Sequence, residues 1–172
     1  GVRSKEVHHG IVKIENEWEV KLTYPYSPQY EASGTSTLVD GLRGGDEYRT
    51  GDWQGYYATP FEATIDLGKS KTITSMTLGC IQDIRPWIWL PENVEFFTSS
   101  DGVNFELLER VTHNVLEDDY ENQVFRFKTN SMISDVRFVR VKANPRGLIP
   151  EWHLGAGFDR WTFVDEWEIT YK

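Results

Sequence analysis

Apolar and polar residues alternate along most of this chain with a period of two, which predicts strands buried on one face rather than helices. Val12, Ile14, Trp18, Val20, Leu22 and Tyr24 fall on even positions, with Lys13, Glu15, Glu17, Glu19, Lys21 and Thr23 between them. Asn16 breaks the apolar face, which predicts a bulge or a turn there, and Pro25 and Pro28 end the run. Phe61, Ala63, Ile65 and Leu67 alternate with Glu62, Thr64 and Asp66 until Gly68, predicting a second strand. Residues 72–81, rich in β-branched types with Met76, Leu78 and Cys80 on one side, predict a third. Further strands are expected at 93–99, at 105–111 after a Ser100-Asp101-Gly102 turn, at 123–128, at 136–143, and at the end through Trp161, Phe163, Trp167 and Ile169. About eight strands and no amphipathic helix longer than two turns predict an antiparallel β-sandwich.

The stretches between strands carry the rest of the reading. Residues 1–10 have no period and are expected to be a flexible lead-in or linker, leaving 11–172 as one domain. A chain of 172 residues is long enough for one domain that hides roughly 70% of the surface its unfolded form exposes. Residues 38–55, LVDGLRGGDEYRTGDWQG, hold five glycines, four acidic residues and Trp53. Such a loop can turn carbonyls and carboxylates toward one point, which suits calcium with its six to eight oxygen ligands at about 2.3 to 2.6 Å. Asp40, Asp46 and Thr50 are the candidate donors, and a solvated acidic turn is the alternative. Trp53 is expected as a core anchor beneath the loop. Residues 116–122, LEDDYEN, read as a solvated connection. Residues 145–160 contain two prolines and three glycines without a period, yet too many aromatics for disorder.

Charge narrows the partners. A net charge of -9 and a pI near 4.9 oppose binding to nucleic acid or to anionic membranes, and no segment approaches the roughly 20 apolar residues that span a bilayer. Cys80 lies in an apolar run, where a thiol behaves as a small hydrophobe. The four histidines show no paired metal-ligand spacing, and no nucleophile or phosphate-loop motif is present. The acidic pairs Asp118/Asp119 and Asp165/Glu166 would point to opposite faces of a strand and so form no glycosidase dyad alone.

Aromatics make up 14% of residues, more than a mostly aliphatic core needs, so some should lie at the surface. A sugar ring packs its C–H face on an aromatic plane while its hydroxyls take charged or amide partners. Arg85 beside Trp87 and Trp89, Glu151, His153 and Arg160 among Trp152 and Phe158, and Gln54 near Tyr56 and Tyr57 offer both kinds of group. Trp89 and Trp161 read as core.

Five runs, LVDGLRGGDEYRTGDWQG, FEATIDLGKSKTITSMTL, VEFFTSSDGVNFELL, VRFVRVKA and FVDEWEI, together resemble the discoidin or coagulation factor five/eight C-type domain over roughly residues 24–171. The similarity is strongest to family 32 carbohydrate-binding modules appended to bacterial chitobiase and β-hexosaminidase-like glycosidases. It implies an all-β, eight-stranded antiparallel jelly-roll of galactose-binding-domain type, non-catalytic and carried outside the cytoplasm (periplasmic, outer-surface or secreted). It further implies a glycan partner of galactose or N-acetylhexosamine type beside the parent's catalytic domain, and a structural calcium at Asp40, Asp46, Thr50 and Glu166. Sugar contacts are then expected from Gln82, Arg85, Trp87, Trp152, His153 and Phe158, converging at one end of the sandwich with Tyr57 nearby. The alternative is a structural or protein-interaction domain with no sugar affinity.

Overall fold

The computed structural model describes residues 18–172, and in it the period-two runs become antiparallel strands. The expected lead-in at 1–10 and the alternating positions 12–17 lie outside the described residues. The strands are β1 (Val20–Leu22), β2 (Gln54–Tyr57), β3 (Phe61–Gln82), β4 (Asn93–Ser99), β5 (Glu106–Val111), β6 (Gln123–Lys128), β7 (Ile133–Asn144) and β8 (Trp161–Tyr171), with a 3-10 helix at Gly34–Val39.

The two strands expected at 61–67 and 72–81 form one 22-residue strand, β3. Its first part pairs with β1 (Val20↔Ile65) and β7 (Ala63↔Val141), its last part with β6 (Leu78↔Phe127) and β8 (Leu78↔Trp167). Register shifts between Asp66 and Lys71, where Gly68 stands at φ +87 and the chain is exposed, so the strand turns a corner there and passes between layers. One layer is then β1, β3, β7, β4 and β5, and the other β6, β3, β8 and β2. Ile65, Met76, Leu78, Phe96, Phe127, Val139, Val141 and Trp167, drawn from both layers, fill the core of this jelly-roll sandwich.

β8 departs from simple alternation, because residues 162–167 are all buried. Leu78 faces Trp167 and Cys80 faces Val164, so Asp165 and Glu166 together oppose the single residue Gly79. That bulge lets the Asp165 carboxylate accept from the Glu166 amide at 2.5 Å and from the Gly44 amide at 2.8 Å. Arg126 on β6 binds Asp165 through two nitrogens at 3.2 and 3.0 Å. A Cβ on Gly79 would collide with that carboxylate and guanidinium, which accounts for the glycine. The 38–55 loop lies over this face: Arg43 clasps Glu168 at 2.5 and 2.8 Å, and buried Trp53 donates to the Gly45 carbonyl at 3.0 Å. Gly44 rests on the Trp53 ring, where any side chain would clash.

Burial pushes the Asp165 carboxyl above its ordinary value, and Arg126 pulls it back. A raised folded-state value means that this group's contribution is complete below the ordinary aspartate value and is lost as pH rises through the raised one. Arg126→Met should therefore destabilise the fold by about 3–5 kcal/mol at neutral pH, with a smaller deficit near pH 4. Urea titrations at the two pH values check this; a deficit that does not change with pH contradicts it.

Candidate functional site

Three loops meet where β3 ends. Asp83 and Ile88 exchange main-chain hydrogen bonds at 3.0 Å, closing a tight turn in which the Trp87 amide donates to the Ile84 carbonyl at 3.1 Å. Trp87 closes it at φ +74, a left-handed angle rare for a bulky side chain. Its ring lies against Gly155, where a Cβ would clash, and stacks on Phe158 with centroids 5.3 Å apart and planes 25° apart. The Trp87 carbonyl accepts from the Trp161 amide at 2.9 Å, which ties the turn to the start of β8.

Residues 145–160 have no hydrophobic period because they fold as successive turns. Ile149 donates to Phe158 O at 2.8 Å, His153 to Pro150 O at 3.1 Å, Ala156 to His153 O at 3.0 Å and Phe158 to Gly155 O at 3.1 Å. His153 is buried at their centre. Its Nδ1 accepts from the Gly155 amide at 2.9 Å, which assigns the ring proton to Nε2, donated to Ile84 O at 2.7 Å. Both nitrogens serve the fold, so the expected sugar contact from His153 is corrected to a positioning role.

Gln82 is corrected in the same way. It is 1% exposed; its Nε2 donates to Leu116 O at 3.1 Å and Asp119 O at 3.3 Å, and its Oε1 accepts from the Leu90 amide at 3.3 Å. Those bonds also correct the reading of 116–122 as a solvated connection. Its side chains are acidic, but its carbonyls are acceptors for the interior, with Glu117 O taking the Trp89 indole N–H at 2.8 Å. Trp89 is core, as expected, covered by the Arg160 guanidinium at 4.7 Å. Arg160 binds Leu148 O at 3.0 Å and Glu117 at 2.8 Å.

What remains outward is an aromatic surface with a guanidinium at its edge. Trp152 is 48% exposed, Phe158 58% and Tyr120 41%. Tyr120 meets Trp152 edge-on at 6.3 Å, and exposed Arg85 donates to Tyr120 O at 3.0 Å with its guanidinium 4.9 Å over the Tyr120 ring. The structure thus brings Arg85, Trp87, Trp152 and Phe158 to one end, as expected, and adds Tyr120. Nothing in the local sequence marked Tyr120 apart from its being an aromatic in an acidic run. Of nine exposed large apolar side chains among the described residues, six (Leu116, Tyr120, Leu148, Trp152, Leu154 and Phe158) lie on these loops, which makes this end the candidate site. Tyr57, half-buried at the end of β2, leans on Trp161 at 5.0 Å and neighbours the surface through that residue. Burial, then Glu47, pushes the Asp83 carboxyl beneath the surface above its ordinary value.

No protein-family model matches the chain, and no curated protein sequence does. Solved structures match over nearly the full length. The F5/8 type C domain of a Bacteroides fragilis protein aligns with TM-score 0.54 at 14% identity, covering 94% of this chain and 95% of that one. A family 32 carbohydrate-binding module from a Clostridium perfringens family 31 glycoside hydrolase gives 0.52 at 19%, covering 91% and 95%. The fold is the discoidin fold. Another family 32 module of C. perfringens, solved in complex with galactose, gives 0.52 at 16%, covering 91% and 94%.

In this discoidin fold the expected calcium donors separate into two groups. Asp40, the C-cap of the 3-10 helix, and Glu166 are both buried, and that helix packs on β8. Asp40 Oδ1 accepts from the Leu42 amide at 2.9 Å. Asp46 and Thr50 are exposed; the Asp46 carbonyl accepts from Asn122 at 3.2 Å and the Thr50 hydroxyl bonds Asp52 at 3.0 Å. Among the described residues no three acidic, histidine or cysteine side chains gather as a metal site. Asp40 and Glu166 are thus buried while Asp46 and Thr50 lie at the surface, and Arg43 nearby is kept protonated chiefly by its hydrogen bond to Glu168.

The left-handed angle at Trp87 generates a separable test. Trp87→Ala leaves a Cβ in that conformation and Trp87→Gly removes it, so the glycine variant should be the more stable of the two by about 1 kcal/mol, though both lose the ring. Equal melting in urea would contradict the angle.

Proposed function

We propose that this chain is a non-catalytic carbohydrate-binding module that holds an attached bacterial glycosidase, of chitobiase or β-hexosaminidase type, against its glycan outside the cytoplasm. The observation that carries this reading is the surface of Trp152, Phe158 and Tyr120 with Arg85, at one end of a fold that a galactose-bound module shares. A pyranose ring lays its C–H face on such planes, and the guanidinium donates paired hydrogen bonds to neighbouring hydroxyls. No acid and base need stand across a bond, since a module of this kind binds the ground state. Among the described residues no helix is long and apolar enough to cross a membrane.

A one- or two-ring ligand laid on exposed rings stays mostly wet, so affinity should be roughly millimolar to high micromolar. Calorimetric titration with galactose, N-acetylhexosamines and a glycan panel should find a ligand whose affinity falls at least about tenfold in Trp152→Ala, Phe158→Ala and Arg85→Ala, each with a near-normal melting curve. Unchanged affinity in all three removes the site. Exposed aliphatic Leu148 and Leu154 favour a second reading, docking on a protein surface of the parent enzyme. Leu154→Asn that weakens association with the parent's catalytic domain while no glycan binds would support it.

We further propose that calcium sits at Asp40 and Glu166 with loop carbonyls, holding the 38–55 loop to β8. A cation that binds only the folded state raises the melting temperature. Millimolar calcium should therefore raise melting, chelator should reverse the rise, and Glu166→Gln should abolish the response. A melting curve indifferent to both additions rejects the metal.

A further inference from the structure

One histidine bears on all three loops of the aromatic end. His113 lies, half-buried, on the 112–122 connection between β5 and β6, with its ring against Phe125 and Phe127 of β6 at centroid distances of 5.8 and 5.9 Å. Its Nδ1 accepts from the Val115 amide at 3.0 Å, which assigns the ring proton to Nε2, donated to the Pro91 carbonyl at the end of the 83–92 loop. Arg146, on the 145–160 loop, faces it as a cation. The neutral ring has one donor and one acceptor and uses both, fastening the 83–92 loop to the 112–122 connection. What it holds is the start of the run whose carbonyls serve the interior: Leu116 O and Asp119 O take the Gln82 amide, and Glu117 O takes the Trp89 indole. Tyr120 O, which takes Arg85, follows on the same run.

We infer that His113 is an acid-sensitive clasp: uncharged it fastens the loops that carry the aromatic rings, and on taking a proton it lets the 112–122 connection loosen, so that the surface comes apart in mild acid. A second proton at Nδ1 would point an N–H at the Val115 N–H, so the bond is lost and the amide is left without its acceptor. The new charge would lie beside the Arg146 guanidinium and against Phe127, which is itself fully buried. Of the elements packed on the ring, β6 presents Phe125 and Phe127, the 83–92 loop the Pro91 carbonyl with exposed Glu92 beyond it, and the 145–160 loop Arg146. Glu117, on the ring's own segment, is taken by Arg160 at 2.8 Å and by Arg146 at 3.6 Å. Burial and then Arg146 accordingly hold the imidazole below its ordinary value of about 6.5, against the pull of Pro91. A lowered folded-state value means that this group's contribution is complete above about pH 6.5 and is lost as pH falls from there through the lowered value. Loosening of the loops stands apart from the sugar reading; release of a glycan in acid rests on it.

Amide hydrogen exchange of the full chain at about pH 7.5 and about pH 5, corrected for intrinsic rates, tests the clasp in the wild type and in His113→Asn. Asparagine can accept from the amide two residues on, as Nδ1 does, and does not titrate. Between the two pH values, protection across 83–92 and 112–122 should fall about threefold or more in the wild type and stay level in His113→Asn, while β3 and β7 keep theirs in both. His153 is present in both proteins, so a loss that they share does not come from the clasp. Equal losses in both, or no loss in the wild type, overturn the proposal. Should the variant not fold, the His113 ring is titrated by NMR in the wild type, and loosening of 112–122 whose midpoint departs from the ring's by more than about one pH unit overturns it equally. Galactose calorimetry at the same two pH values separates the readings. Affinity about threefold weaker at the lower pH in the wild type alone adds glycan release, and unchanged affinity with loosened loops overturns release while leaving the clasp. No galactose binding at either pH counts against the sugar platform and not against the clasp.

Discussion

The arrangement of the aromatic end depends on the carboxamide of Gln82. This residue closes β3, the strand shared by both layers, and its backbone is fixed by pairing with Gln123 of β6. Its side chain is sealed inside, where an amide without partners would cost on the order of 1–3 kcal/mol for each group left unsatisfied. Those partners are Leu90, Leu116 and Asp119, on two segments that have no regular pairing of their own at these points. One buried group therefore sets the positions of both the 83–92 and 116–122 loops relative to the sandwich, and the low-dielectric surroundings penalise any arrangement that leaves it open.

From that point the order spreads outward through polar contacts to main-chain atoms. Trp89 reaches Glu117 O, Arg85 reaches Tyr120 O, and His153 joins Ile84 O to the Gly155 amide. The exposed rings consequently stand on loops whose backbone is already ordered before a ligand arrives. For the weak binding proposed above this matters more than contact area, because ordering loops on binding would consume much of a small interaction energy. The left-handed Trp87 belongs to the same picture. Its unfavourable angle persists because the Ile84 carbonyl, Gly155, Phe158 and Trp161 all constrain it.

The sandwich was legible in the chain because strand burial writes a period of two directly into residue order, as in Phe61 to Leu67 and in the stretch 136–143. The aromatic end was legible only in part. Arg85, Trp87, Trp152 and Phe158 stood out as aromatics and a cation in aperiodic stretches, and they do converge. Gln82 and His153 stood out for the same reason and turned out to be internal, since a polar side chain gives no sign of whether its partner is a ligand or a distant carbonyl. The 116–122 run misled for a related reason: its side chains are those of a solvated loop, while its contribution to the interior comes from main-chain oxygens that residue type does not encode. The joining of 61–67 and 72–81 into one strand was hidden because Gly68 reads equally well as a terminus and as a corner.

The 38–55 loop and the aromatic end are also in contact. Asn122, at the far end of the acidic run, donates to the Asp46 carbonyl, and Glu47 lies close enough to Asp83 to push its carboxyl up. On its other side the loop is fastened by the Gly44 amide to Asp165 and by Arg43 to Glu168. A glycine-rich segment would ordinarily be a mobile part of a β-domain, since glycine loses the most conformational entropy on ordering. Here charge-assisted hydrogen bonds to two β8 carboxylates, buried Asp165 and half-exposed Glu168, offset part of that entropy. The loop thereby spans from the bulge on β8, through Gly44 and Arg43, to the segment that carries Tyr120, through Asn122.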